Sequence, residues 1–117
     1  MNIQIFGTKK SADTRKAERY FKERRIRFQS VDLMEKGLSK GEFQKVCQAV
    51  GGLDAMIDHD CKDRDLLALI RYIAAEDRLQ KVLENQAVLK QPIVRNGRYA
   101  TVGYQPEVWK KWEQEDK

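Results

Sequence analysis

The chain has 117 residues, 41% hydrophobic and 35% charged, which is the size of an ordinary single domain and too apolar for a disordered one. A chain of this length buries about two-thirds of the surface its unfolded form exposes, so neither disulfide nor metal is needed for folding. The longest near-apolar run, Leu66–Ala75, is interrupted by Arg71 and is too short to span a bilayer. The N-terminus lacks the basic head and cleavage site of a signal peptide. Cys47 and Cys61 stand in no metal-finger or CxxC spacing, which fits a reducing cytoplasm better than an export route. The net charge of +5 is unevenly spread: residues 1–30 carry nine Lys/Arg against three Asp/Glu, and the other 87 carry fourteen against fifteen. Such a local basic field points to an anionic ligand, an acidic protein surface or weak nucleic-acid contact, against the plain alternative of a solvated helix face.

Asn2–Phe6 alternates polar and apolar residues and ends at Gly7, the pattern of a strand. From Ser11 to about Arg25, Ala17, Tyr20 and Phe21 give the spacing of one buried helical stripe. Ile26–Leu33 alternates again, with Ile26, Phe28 and Val31/Leu33 directed at cores. Strand, helix and strand in this compass make a βαβ unit with parallel strands and a right-handed crossover. Ser39 and Glu42 form a capping box ahead of Phe43, Val46, Cys47 and Val50, and Gly51-Gly52 supplies the stop. Leu53–Ile57 reads as a short apolar turn, Asp58–Asp65 as a polar break, and Leu66–Ile73 and Leu79–Leu89 as two more helices. Pro92–Arg95 and Arg98–Val102 flank Asn96-Gly97, the signal of a hairpin with a type I′ turn. A last helix follows Pro106, with Val108, Trp109 and Trp112 on its apolar face. The order predicts an α/β (α+β) protein: a thioredoxin-like βαβ–ββα arrangement with a four-stranded mixed sheet, forming one domain over residues 1–117 with a helical insertion at about 38–90.

Three segments carry a family resemblance. Ser11-Ala12-Asp13-Thr14-Arg15-Lys16-Ala17 follows the first strand, Leu89-Lys90-Gln91-Pro92-Ile93-Val94 precedes the hairpin, and Val102-Gly103-Tyr104-Gln105-Pro106-Glu107 leads into the last helix. In this order and at these separations they resemble the motifs of the arsenate-reductase (ArsC)/Spx family. The resemblance implies a nucleophilic cysteine at the start of the first helix, where this chain has Ser11. It implies a second cysteine, in the redox-active members, where this chain has Thr14. It also implies an oxyanion-binding arginine at Gln91 and further arginines near Asp58 and Gly103. Nucleophile and oxyanion clamp are thus both expected to be missing, leaving Ser11 as a vestigial nucleophile position.

Serine is no substitute for the thiol. A helix N-terminus and nearby bases lower a cysteine pKa from about 8.5 to about 3.5–7.5, and helix-dipole stabilisation is about 0.3–2 kcal/mol. A shift of that size leaves an aliphatic alcohol protonated, and serine forms no disulfide. A serine nucleophile needs a general base, and nothing in the sequence brings the sole histidine, His59, beside Ser11. Ser11 is therefore expected to be an N-cap. Cys47, on an apolar stripe, is expected to be a buried small hydrophobe. Cys61, in the polar run Asp58–Asp63, is the one candidate for a displaced redox thiol, against an inert half-exposed thiol. That run lacks zinc spacing and the calcium-loop glycine, so no metal site is expected.

Lys9, Lys10, Ser11, Thr14, Arg15, Gln91 and Pro92 form the candidate anion or ligand site, because unpaired helix N–H groups amid positive charge attract anions. The resemblance implies a cis Pro92, whose backbone can pair with an extended ligand such as glutathione, the one candidate cofactor. Trp109 and Trp112 are expected to be core. Two functions follow from these residues. The preferred one is a non-enzymatic binding or regulatory protein with a protein partner, since the Spx branch docks on the alpha subunit of RNA polymerase. The alternative is a glutathione-dependent oxidoreductase of the arsenate-reductase or glutaredoxin-like type, working through Cys61 or bound glutathione. Nucleic-acid binding ranks third, without a recognisable reading module. Oligomeric state is not legible in the sequence.

Overall fold

The computed structural model describes residues 1–116. Strand β1 (Ile3–Gly7), helix α1 (Ala12–Glu23) and strand β2 (Phe28–Asp32) form the expected βαβ unit, with β1 and β2 parallel and Ile3 opposite Phe28. Helices α2 (Lys40–Val50), α3 (Arg64–Tyr72) and α4 (Ala75–Glu84) follow, with 3-10 turns at Leu53–Met56 and Gln86–Val88. Strands β3 (Ile93–Asn96) and β4 (Tyr99–Val102) then add antiparallel, and α5 (Pro106–Glu115) ends the described chain. The sheet has four strands in the order β2-β1-β3-β4, mixed in direction and thioredoxin-like in topology.

The period of two along β1 divides the core in two. Ile3 and Ile5 face α1 and α5, where Ala17, Tyr20, Phe21, Val94, Trp109 and Trp112 are buried. Phe6 faces the other way, into a larger cluster that draws on β2, β3, β4 and the whole helical insertion. Strand β2 and the residues flanking it serve both sides: Ile26 and Phe28 pack on the first cluster, Val31 and Leu33 on the second.

Local chemistry accounts for most element ends. The Ser39 hydroxyl accepts from the Glu42 N–H at 3.3 Å while the Glu42 carboxylate accepts from the Ser39 N–H at 2.9 Å, the reciprocal capping box. Glu42 sits low in its titration range: burial pushes its carboxyl up, but the Ser39 bonds and nearby Arg95 outweigh that. Helix α1 closes with a bond from Ile26 N–H to Phe21 C=O at 2.9 Å and one from Arg25 N–H to Lys22 C=O at 3.0 Å. This is a Schellman pattern that puts Arg25 in the left-handed region, at φ +58°. Strand pairing consequently starts at Phe28 rather than Ile26.

Three expectations need correction. The helix expected at Leu79–Leu89 starts earlier, at Ala75, and gives way after Glu84 to a 3-10 turn. Its break is held by Gln86, whose amide oxygen accepts from Leu38 N–H at 2.8 Å and whose amide nitrogen donates to Leu38 C=O at 2.8 Å. The hairpin turn is centred on Gly97-Arg98, since Asn96 pairs with Tyr99. Only Gly97 has positive φ, at +60°, which is the type II′ pattern and not I′. Finally, Cys47 is half-buried at the edge of the larger cluster, not enclosed.

Candidate functional site

The N-terminus of α1 opens onto a cleft of about 430 Å³. Its walls come from both halves of the molecule: Ser11, Ala12 and Asp13 from α1, Asp58 from the turn after the first 3-10 segment, and Ala87, Leu89, Lys90 and Gln91 from the approach to β3. Backbone bonds fix the last two of these walls against each other. Asp58 N–H donates to Val88 C=O at 2.8 Å, Lys90 N–H donates to Met56 C=O at 2.8 Å, and Ile57 bridges Leu89.

Ser11 is the N-cap of α1, with extended backbone and its hydroxyl accepting from Thr14 N–H at 3.1 Å. Gln91 reaches across to the loop after β1, where its side-chain oxygen accepts from the Thr8 N–H at 2.7 Å and the Thr8 hydroxyl at 3.0 Å. The Gln91–Pro92 peptide is cis. Pro92 C=O accepts from Gly103 N–H at 2.8 Å, which ties the β3 entry to the end of β4. Gly103 has φ +83°, and a Cβ there would lie 3.2 Å from Lys90 Cε. Glycine thus clears the path by which the Lys90 stem reaches the cleft.

Of the residues expected to form an anion site, Ser11 and Gln91 line this cleft, whereas Lys9, Lys10, Thr14, Arg15 and Pro92 do not. Thr14 is turned inward under Gly7, 4% exposed, and its hydroxyl has no hydrogen-bond partner among the described residues. The Arg15 guanidinium donates to Lys9 C=O and lies on the flank of α1. Among the described residues, Lys90 is the one basic residue in the cleft wall, which also holds Asp13 and Asp58. No cysteine, histidine or arginine among the described residues lines the cleft. Its charge is therefore mixed, with acid in excess, and oxyanion affinity would rest on helix N–H groups and a single ammonium.

The two thiols lie elsewhere and are unpaired. Both pack against the larger apolar cluster, Cys47 from α2 and Cys61 from the turn closed by its N–H bond to Asp58 C=O at 3.0 Å. Burial pushes the Cys47 thiol up, making it a poorer nucleophile at neutral pH. His59 faces Asp54 C=O and the Arg71 guanidinium, at 3.0 and 3.1 Å, on the outer side of the 3-10 turn.

Residue-level reasoning did not single out Asp13, Lys90 or Ala87 as cleft residues. Lys90 had a signal, since it directly precedes Gln91-Pro92; Ala87 had none.

A family model described as the ArsC family matches residues 6–112. The chain belongs to the ArsC family. Among solved structures, this ArsC-family chain is similar to a protein from Bacteroides fragilis described as ArsC-family related. The two share 18% identity over 95% of this chain and 97% of that one, with a TM-score of 0.81. It is also similar to an arsenate reductase from Vibrio cholerae, at 21% identity over 95% and 97% of the two chains and a TM-score of 0.79. At these identities the likeness is one of fold. No curated protein matches the chain significantly. Among the described residues, no helix is long and apolar enough to cross a membrane.

Proposed function

We propose that this ArsC-family chain is a cytoplasmic, non-enzymatic binding or regulatory protein, with Ser11 standing at the position of the family's nucleophilic cysteine. The observation that carries this reading is the chemistry of the cleft wall, which offers neither thiol nor arginine. The one hydroxyl at the helix start is engaged as a cap, and the amide at the proline entry is engaged by Thr8. Turnover in a thiol-dependent reductase needs a thiolate that attacks and a disulfide that forms. Both cysteines pack on an apolar cluster instead. The partner class to try first is the transcription machinery, as the resemblance to the Spx branch implies.

The test is NADPH consumption in a glutathione/glutaredoxin-coupled assay with arsenate, using wild type, Cys61→Ser and Ser11→Cys. No turnover in wild type is expected, with some gained in Ser11→Cys. Wild-type turnover that disappears in Cys61→Ser would make the chain an oxidoreductase with a relocated thiol.

A further inference from the structure

None of the nine bases of residues 1–30 lines the cleft; four of them lie along the outer face of α1. Arg15, Lys16, Arg19 and Lys22 are all exposed, and Arg15, Arg19 and Lys22 fall at i, i+4 and i+7, one stripe about 10 Å long. Of the nine bases in this segment, only Lys16 and Arg24 have a carboxylate within 4 Å among the described residues. Helix packing explains the placement. Thr14, Ala17, Tyr20 and Phe21 are buried, so the bases interleaved with them must point outward.

Two clefts border this stripe. One, of about 580 Å³, is lined by Arg15, Arg19 and Lys22 with Glu18 and Glu23, and has the half-buried Phe28 ring in its wall. The other, of about 420 Å³, lies between α1 and α5, with Lys16, Arg19 and Arg24 beside the exposed ring of Tyr104. Arg19 and Glu23 line both. Arg24 is already occupied, since its guanidinium stacks 3.7 Å from the Tyr20 ring centroid and pairs with Glu113 at 3.4 Å. Arg19, which has neither kind of partner among the described residues, is the free cation at the centre.

We infer that the outer face of α1, with Arg19 at its centre, docks an acidic protein segment that sets carboxylates at helical spacing against Arg15, Arg19 and Lys22. This rests on the reading of the chain as a binding protein and names the surface and chemistry of the partner. Two observations favour a protein over a nucleic acid. Glu18 and Glu23 stand among the bases, and Glu18 is held there by the Ser30 hydroxyl at 2.6 Å. A phosphodiester backbone has no neutral gap to lay against fixed carboxylates, whereas a peptide can alternate acidic and apolar residues. The apolar surface of Phe28 and Tyr104 gives such residues something to cover. Charge complementarity of this kind fixes register and speeds association.

The probe is a fluorescein-labelled 15-residue peptide with Glu at i, i+4 and i+7 and Leu between, read by fluorescence anisotropy. An oligothymidylate of equal charge serves as rival. The peptide is expected to bind more tightly than the oligonucleotide at the same salt, with affinity falling about tenfold or more in Arg19→Glu. The pair Arg15→Glu/Lys22→Glu should lose a similar amount, and Lys81→Glu on α4 nothing. Circular dichroism checks that each variant is folded. Absence of peptide binding, binding indifferent to both variants, or tighter binding of the oligonucleotide would each overturn the inference. The reductase assay is separate: turnover with intact peptide binding would sink the non-enzymatic reading and leave the docking surface standing. No turnover and no binding would do the reverse.

Discussion

The two faces of the sheet are built by different means. On the α1/α5 side a few large rings do the packing. Trp109, fully buried, meets Tyr20 at 5.3 Å, Phe21 at 5.2 Å and Tyr104 at 5.5 Å between ring centroids. Its indole N–H donates to the buried Thr101 hydroxyl at 2.8 Å. On the other side many aliphatic side chains from short helices and 3-10 turns fill the larger cluster, and polar clasps such as Gln86–Leu38 hold the turns in place. The first construction concentrates stability in single residues, and the second distributes it. The cleft lies on the seam, with its α1 wall set by the aromatic side and its Asp58 and Ala87–Gln91 walls set by the aliphatic one. Damage to either side should therefore reach it, by different routes.

The sharpest way to break this contrast is Trp109→Ala. It should cost about 3–5 kcal/mol, the range for a deleted buried aromatic, measured by urea denaturation. A loss below about 1.5 kcal/mol would mean that the aromatic side repacks as freely as the aliphatic one is expected to.

Next in size is a pH effect confined to the aromatic side. Burial, followed by the Glu113 carboxylate that accepts the Tyr20 O–H at 2.6 Å, pushes the Tyr20 phenol up to about 12 from 10.0. The unfolded chain then loses its phenolic proton first. This group's contribution is fully present below about pH 10 and disappears as pH rises toward about 12, amounting to about 2–3 kcal/mol. Stability measured across that interval should fall more steeply in wild type than in Tyr20→Phe. Identical slopes would remove the phenol from the account.

The smallest effect belongs to the aliphatic side. Gln86→Ala removes the clasp on Leu38 and should cost about 1–3 kcal/mol, the penalty for polar groups left unpaired. Because Ala87–Gln91 follow directly, hydrogen exchange at Leu89 and Lys90 should quicken in this variant. Trp109→Ala, at equal residual stability, should instead quicken exchange in α1.

What could be read from the sequence follows the same division. Helices α1 and α2 were legible because their ends are written locally: Ser11 and the Ser39–Glu42 box at their starts, Gly51 at the second stop. The parallel pairing of β1 with β2 and the mixed character of the four-stranded sheet followed from the βαβ unit and the hairpin; the order β2-β1-β3-β4 came from the structure. The end of α4 was not legible, since Gln86 acts on a residue 48 positions away, and Ala74 offers no side-chain cap to mark its start. The turn at Gly97 was displaced by one residue because an Asn-Gly pair serves either register until the strands fix it. In the candidate site, Ser11 and Gln91 could be placed from motif position. The bases that follow Ser11 on α1 could not, because a helix carries consecutive residues about 100° apart. Arg15 and Lys16, neighbours of the cleft in the chain, thus end on its flanks.

The junction of β1 and α1 depends on a missing methyl group. A Cβ on Gly7 would lie 2.3 Å from Thr14 Oγ1 and 2.6 Å from its Cγ2. The branched side chain fills the space that glycine leaves, and the start of the helix is seated against the strand at that distance. Positions 7 and 14 therefore cannot drift independently: a larger residue at one requires a smaller one at the other, or the helix must lift. Among descendants of this sequence the two should change as a pair, and the height at which α1 rides over the sheet should be inherited with them.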